Sequence, residues 1–152
     1  DHKQGNEMAK PAIPNKNTFP PVRPVYGTTN PDEITKQNEP VKRYAMVIEL
    51  NPEKEKLYRK LHADVWPGVV VAIQKANIRN FSIFVAELDE KKYLFSYLEY
   101  TGNNPEEDFA SIAEDPLTRD KWWPLTDACQ IRLPGTPEGE QWKNIEMVMH
   151  ID

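Results

Sequence analysis

The sequence predicts an α+β fold in which antiparallel strands carry helices on one face, and three observations predict it. Apolar residues recur at the period of a strand in four stretches, 43–50, 78–88, 92–101 and 144–151. Between the first and second stretches, and again between the third and fourth, acid-rich starts led by proline open runs with helical spacing. The second and third stretches are joined only by Asp89-Glu90-Lys91, a hairpin-length connection that pairs them antiparallel. The order is β-α-β-β-α-β, the ferredoxin-like or split βαβ unit.

Residues 1–42 stand apart from that unit. Seven of the fourteen prolines fall in the first 40 residues, which keep only two of the fifteen aromatics, Phe19 and Tyr26. Lys10-Pro11, Ile13-Pro14, Phe19-Pro20-Pro21 and Arg23-Pro24 favour extended or polyproline backbone, because proline lacks an N–H and biases its predecessor away from helix. This is a proline-rich N-terminal arm or linker. It either tethers the body or wraps it through Phe19, Val22, Val25 and Tyr26. A chain of 152 residues suits a single domain, here residues 43–152, behind that arm.

The first strand alternates Tyr44, Met46, Ile48 and Leu50 with Ala45, Val47 and Glu49. Asn51-Pro52 then supplies a helix cap and a proline at the first helical position, followed by Glu53 and Glu55 where the helix dipole favours acid. The helix carries Leu57, Tyr58, Leu61, His62, Val65 and Trp66 at three- and four-residue spacings, and Pro67 should kink or restart it before it runs on to about Ala76. After the hairpin, Asn104-Pro105-Glu106-Glu107 repeats the start signal with Glu107 in the capping-box place. Asp115-Pro116 opens a further short helix carrying Trp122 and Trp123. The turn-rich segment Leu133 to Gly139 leads to the last strand, with Ile145, Met147, Met149 and Ile151 on one face. One face of such a sheet is left uncovered, and a second copy packing sheet on sheet, or the arm, would bury it.

Charge and composition remove several classes of function. From residue 43 onward 13 basic residues face 19 acidic ones, without the basic patch that a nucleic-acid binder needs to replace counterions around phosphate. The lone Cys129 excludes an intramolecular disulfide framework and every cysteine-rich zinc pattern, and buried free thiol is its ordinary state. The longest apolar run, Val69 to Ile73, is far short of a membrane span. The chain begins at Asp1 rather than Met, and the expectation drawn from this is an exported, processed protein, with the cytoplasm as the other compartment.

Tyr58, His62 and Trp66 fall at four-residue intervals and share one helix face. Two readings fit them: plain core, or a polar pocket in which an imidazole titrating near neutrality exchanges protons beside a phenol and an apolar wall. Trp122-Trp123 also reads two ways. Adjacent indoles on a helix point about 100° apart, so either one is core and the other meets a partner, or one faces a ligand such as the C–H face of a sugar. His150 is 88 positions from His62, without metal-ligand spacing. No glycine-rich phosphate loop or serine-centred motif is present.

Taken together, Asn51-Pro52, Leu57-Tyr58-Arg59-Lys60-Leu61-His62, Val65-Trp66-Pro67, Asn80-Phe81-Ser82-Ile83-Phe84 and Lys121-Trp122-Trp123 resemble the L-rhamnose mutarotase family along most of residues 43–151. The resemblance implies a dimeric α/β-barrel and a monosaccharide substrate, with His62 as proton donor, Tyr58 as a substrate-binding tyrosine and Trp122 and Trp123 as the sugar-binding pair. Trp66 is expected to add an apolar wall. The family usually has a substrate-contacting tyrosine where Phe81 stands, so the ring is kept and its hydroxyl lost. The arm and the Leu133–Trp142 segment are longer than the compact family pattern, which brings other deoxy or pentose sugars into view beside rhamnose.

The implied reaction interconverts anomers. A base takes the anomeric hydroxyl proton, an acid protonates the ring oxygen, and the aldehyde turns over before reclosing. It needs no redox step, cofactor or metal. Two other functions belong to the same outline: a haem-binding oxygenase of the dimeric α+β barrel type, with a histidine on iron, and a sugar-binding module without turnover.

Overall fold

Strand β1 (Lys42–Leu50) sits inside the sheet because both of its edges are used. In the computed structural model, which describes residues 22–152, it pairs antiparallel with β3 (Lys91–Tyr100), from Lys42 opposite Tyr100 to Glu49 opposite Tyr93. β3 pairs in turn with β2 (Ile78–Leu88) through a two-residue turn. Asp89 and Glu90 in that turn have φ of 54° and 67°, the left-handed pair of a type I′ hairpin. On the other edge of β1, two short pieces share one place: β4 (Gln130–Ile131) lies beside Glu49 and Leu50, and β5 (Lys143–Ile145) beside Ala45 to Val47. The order β2-β3-β1-β4 is that of the ferredoxin-like unit read from the sequence.

The final strand is shorter than expected. Alternation predicts strand over 144–151, whereas β5 stops at Ile145 and leaves Val148, Met149 and Ile151 exposed. Beyond it the tail turns to the arm, where the His150 N–H donates to the Thr29 carbonyl at 2.7 Å. Period-two spacing marks an extended chain with one apolar side, and does not say which surface that side meets.

Within the arm, α1 (Glu33–Gln37) forms where Pro31 and Pro40 leave a proline-free interval, capped by Asp32, whose Oδ1 accepts from the Thr35 N–H at 2.9 Å. Val22 and Val25 are exposed, Asn30 is buried, and Phe19 lies outside the described residues.

The helical region after β1 has two halves. Asn51 caps a single 3₁₀ turn (Pro52–Lys54), then α2 (Glu55–Ala63) follows, and α3 (Pro67–Lys75) restarts at the proline. Trp66, expected on the first helix with Tyr58 and His62, is not helical: its φ of −57° and ψ of 133° are extended. Pro67 is the cause, because its Cδ clashes with a helical predecessor. Glu55 at the start of α2 accepts from Lys92 Nζ at 2.9 Å and from Arg59 Nε at 2.8 Å, which ties the helix to β3 and holds the Glu55 carboxyl below its usual range.

α4 (Pro105–Ala113) starts at the predicted cap, with Asn104 Oδ1 accepting from the Glu107 N–H at 3.3 Å. The Asn104 backbone N–H goes instead to the Tyr100 hydroxyl, at 2.8 Å, and that hydroxyl donates to Asp108. Asn77 Nδ2 donates to the same carboxylate at 3.0 Å, so β3, α4 and the end of α3 meet at one half-buried polar knot.

All three main helices cover the same side of the sheet. Ile48, Leu50, Tyr58, Leu94 and Cys129 make one core cluster; Ala76, Ile78, Leu98 and Tyr100 make a second, with Phe109 and Ile112 against it. On the opposite face, with Val47, Phe95 and Phe84 in register across three strands, no helix layer is found among the described residues, and Phe84 is 60 % exposed. No helix among the described residues is long and apolar enough to cross a membrane.

Candidate active site

Between the helices and the sheet opens a cleft of about 1200 Å³. α2 gives it Tyr58 and His62, one turn apart, with the two rings stacked at 4.0 Å between centroids and 22° between planes. His62 Nδ1 lies 2.9 Å from the Tyr58 carbonyl oxygen. A carbonyl only accepts, so Nδ1 carries the hydrogen and Nε2 is the nitrogen left for proton exchange. Nε2 has no hydrogen-bond partner among the described residues. Burial holds the His62 imidazole below its ordinary value, partly offset by the bond to Tyr58, so the ring is neutral at neutral pH and gives up a proton readily once charged.

Tyr58 is 4 % exposed, and its hydroxyl has no bonded partner among the described residues. Burial pushes the phenol far up; the Gln130 amide partly offsets this from outside hydrogen-bonding geometry. Tyr58 thus stays protonated at any working pH, a donor waiting for an acceptor.

The tryptophan pair is placed by a local irregularity. Asp115 caps the helix, its Oδ2 accepting from Thr118 Oγ1 at 2.7 Å. Residues Thr118–Trp122 then form a π turn, closed by a Trp123 N–H to Thr118 carbonyl bond, before α5 (Trp123–Asp127) resumes. A π turn inserts one residue into helical spacing and is frequent at functional sites. Here it brings both indoles to the cleft: Trp122 is 5 % exposed and 5.3 Å from the His62 ring, whereas Trp123 stays open to solvent at the mouth. Gly68 in α3 permits the close approach, because a Cβ there would sit 2.6 Å from Leu117 Cδ2.

Trp66 reaches the site differently from the sequence reading. It does not line the cleft, and meets the edge of Trp122 from behind, 5.0 Å between centroids. Phe81 does line it, for a reason periodicity cannot show: the β2–β3 register shifts between Arg79 and Ser82, a bulge that puts Phe81 on the same side as Ile83 and Ile78. Asn80 at the bulge has φ of 51° and donates from Nδ2 to Glu99 at 2.8 Å.

Sequence reasoning missed the far wall. Gln130, Gln141 and Trp142 line the cleft, with Gln141 Nε2 donating to Gln130 Oε1 at 3.2 Å. Arg132 pins the 132–142 loop by donating to the carbonyls of Glu140, Pro137 and Thr136. Asp127 also faces the cleft, exposed at its surface while the surrounding protein raises its carboxyl. Its place four residues after Trp123 was a legible signal. Among the described residues, no cluster of three histidine, cysteine or acidic side chains is arranged to hold a metal.

Fold and site define a small α+β protein with one histidine, its Nε2 unbonded among the described residues, in an aromatic-walled cleft. The family model for L-rhamnose mutarotase matches residues 43–151. The chain therefore belongs to the L-rhamnose mutarotase family. It is 31 % identical over 114 residues to the L-rhamnose mutarotase of Lactiplantibacillus plantarum, covering 72 % of this chain and 98 % of that one. The Oceanobacillus iheyensis L-rhamnose mutarotase is 31 % identical over 83 residues, 55 % of this chain and 74 % of its own. In three dimensions, the crystal structure of an L-rhamnose mutarotase from Formosa agariphila aligns with a TM-score of 0.50 at 18 % identity, over 73 % of this chain and 99 % of that one, which supports the fold.

Proposed function

We propose that the protein interconverts the α and β anomers of L-rhamnose or a closely related sugar by acid/base-assisted ring opening. Family membership favours this isomerase reading over a haem oxygenase. The observation that carries it is the His62 ring, fixed through Nδ1 so that only Nε2 can exchange a proton, and set against stacked aromatic walls. In this reading His62 protonates the ring oxygen, and the unbonded Tyr58 hydroxyl positions the sugar. Trp122 and Trp123 hold its C–H faces, with Trp66 fixing Trp122 from behind. Phe81 contributes a ring without a hydroxyl, so whatever hydrogen bond a tyrosine would give there is absent.

The molecule acts as a homodimer in the same reading, a second copy covering the bare face around Phe84, and residues 1–42 are an addition to the working body. Saturation-transfer NMR on the anomeric protons tests the reaction. The protein should accelerate exchange for L-rhamnose, and His62→Ala should remove roughly 10²–10⁴-fold of that, the range for one positioned acid or base. Unchanged exchange in the variant would take the histidine out of the mechanism.

A further inference from the structure

Ring opening moves two protons at two oxygens. One leaves the anomeric hydroxyl as its O–H electron pair becomes the second C–O bond of the aldehyde. The other arrives at the ring oxygen, which keeps the electron pair of the breaking bond to the anomeric carbon. His62 can serve one oxygen at a time, because Nδ1 is committed to the Tyr58 carbonyl. Tyr58 is an unsuitable second group, since its phenol is held far above neutrality. Resting on the mutarotase reading, we propose that Asp127 is the second proton-transfer residue, its carboxylate taking the anomeric hydroxyl proton while His62 Nε2 gives one to the ring oxygen.

Two observations converge on Asp127. It lines the same cleft as His62, at the end of α5 and one helical turn beyond Trp123, so carboxylate and indole face the cavity together. It makes no hydrogen bond or ion pair among the described residues, whereas its neighbours in sequence are committed: Asp115 caps Thr118, Asp120 pairs with Arg119, and Asp108 holds Tyr100 and Asn77. The other charged groups at the cleft are Glu106 at the start of α4 and Arg132, Glu138 and Glu140 in the far loop; Arg132 is occupied with loop carbonyls, and the three glutamates stand outside the helix that carries Trp123.

The electrostatics agree with the assignment. Burial lowers His62, which makes its charged form a stronger acid, and the protein around Asp127 raises that carboxyl, which makes it a stronger base. The step starts from the form with His62 charged and Asp127 ionised, a minor form at neutral pH because burial favours the neutral ring. After opening, protonated Asp127 and neutral His62 hold the same number of protons as at that start, and closure to the other anomer reverses both transfers.

The test compares wild type, Asp127→Asn and Asp127→Ala by anomer-exchange NMR, with tryptophan fluorescence reporting L-rhamnose binding at Trp122 and Trp123. Asp127→Asn should lower exchange roughly 10²–10⁴-fold, with sugar affinity changed by no more than a few fold and Tm unaltered. Added formate should restore part of the exchange in Asp127→Ala, beyond what formate itself produces without protein. If wild type accelerates exchange and Asp127→Asn matches it, or if the variant loses binding and formate restores nothing, the assignment to Asp127 fails alone. If wild type leaves exchange at the solvent rate, the mutarotase reading fails and takes this proposal with it.

Discussion

His62 combines a fixed tautomer with a half-buried ring, and the two have separate consequences. The Nδ1 bond to Tyr58 decides which nitrogen works, and burial decides at which pH it is charged. Because its folded value lies below the ordinary 6.5, the folded state takes up this proton later than the unfolded chain as pH falls. The stability it contributes is whole above that ordinary value and is lost as pH drops through the lower folded one. An NMR titration of the His62 ring should give a midpoint under 6.5, and Trp122→Ala, which opens the ring to water, should move the midpoint upward. Tyr58, His62 and the tryptophans were legible in the sequence because four-residue spacing and an adjacent pair are local facts. Which readings of them hold was not, since a stacked phenol and imidazole make an equally good core until a cleft is seen beside them.

At the level of elements, caps and prolines carried most of the information. Asn51, Asn104, Asp115, Pro52, Pro67 and Pro105 stand at helix starts because each acts on the backbone within a few residues. Two irregularities escaped because no residue type announces them: the π turn at Thr118–Trp122 and the bulge before Ser82. Both bear on the site. Deleting Lys121, an exposed residue inside the π turn, should let the helix run as α and swing Trp122 by about 100°. We expect circular dichroism to show the fold retained and NMR to show anomer exchange lost by about 100-fold or more. The hairpin offers a change of opposite sign. Asp89 and Glu90 both hold positive φ, at a cost of roughly 1–2 kcal/mol for each such L-residue. Replacing them by Asn-Gly should gain about 1 kcal/mol and raise Tm by about 4 °C, with exchange untouched because the turn is remote from the cleft.

For the molecule as a whole, the sequence led to the expectation that a sheet with helices on one face needs a cover on the other, and Val47, Phe95 and Phe84 line up there without a helix layer among the described residues. Strand order was legible because β-α-β-β-α-β admits few arrangements. The tail after Ile145 was not, because its alternating residues describe an extended chain without naming its neighbour. For the proposed dimer, a charge in the middle of the face opposite the helices, as in Phe84→Asp, should shift the protein toward monomer in light scattering by at least tenfold in dissociation constant while leaving the monomer folded; a protein that is monomeric before the change would overturn the dimer proposal. The divided edge of β1 has one more consequence. β4 and β5 fill separate parts of that edge, and the chain between them is held by Arg132 rather than by strand pairing. Residues can be gained or lost in that interval without disturbing sheet register, and the interval forms the wall opposite His62. The architecture is therefore modular: one side of the cleft can change in length and lining while the side that carries Tyr58 and His62 stays as it is.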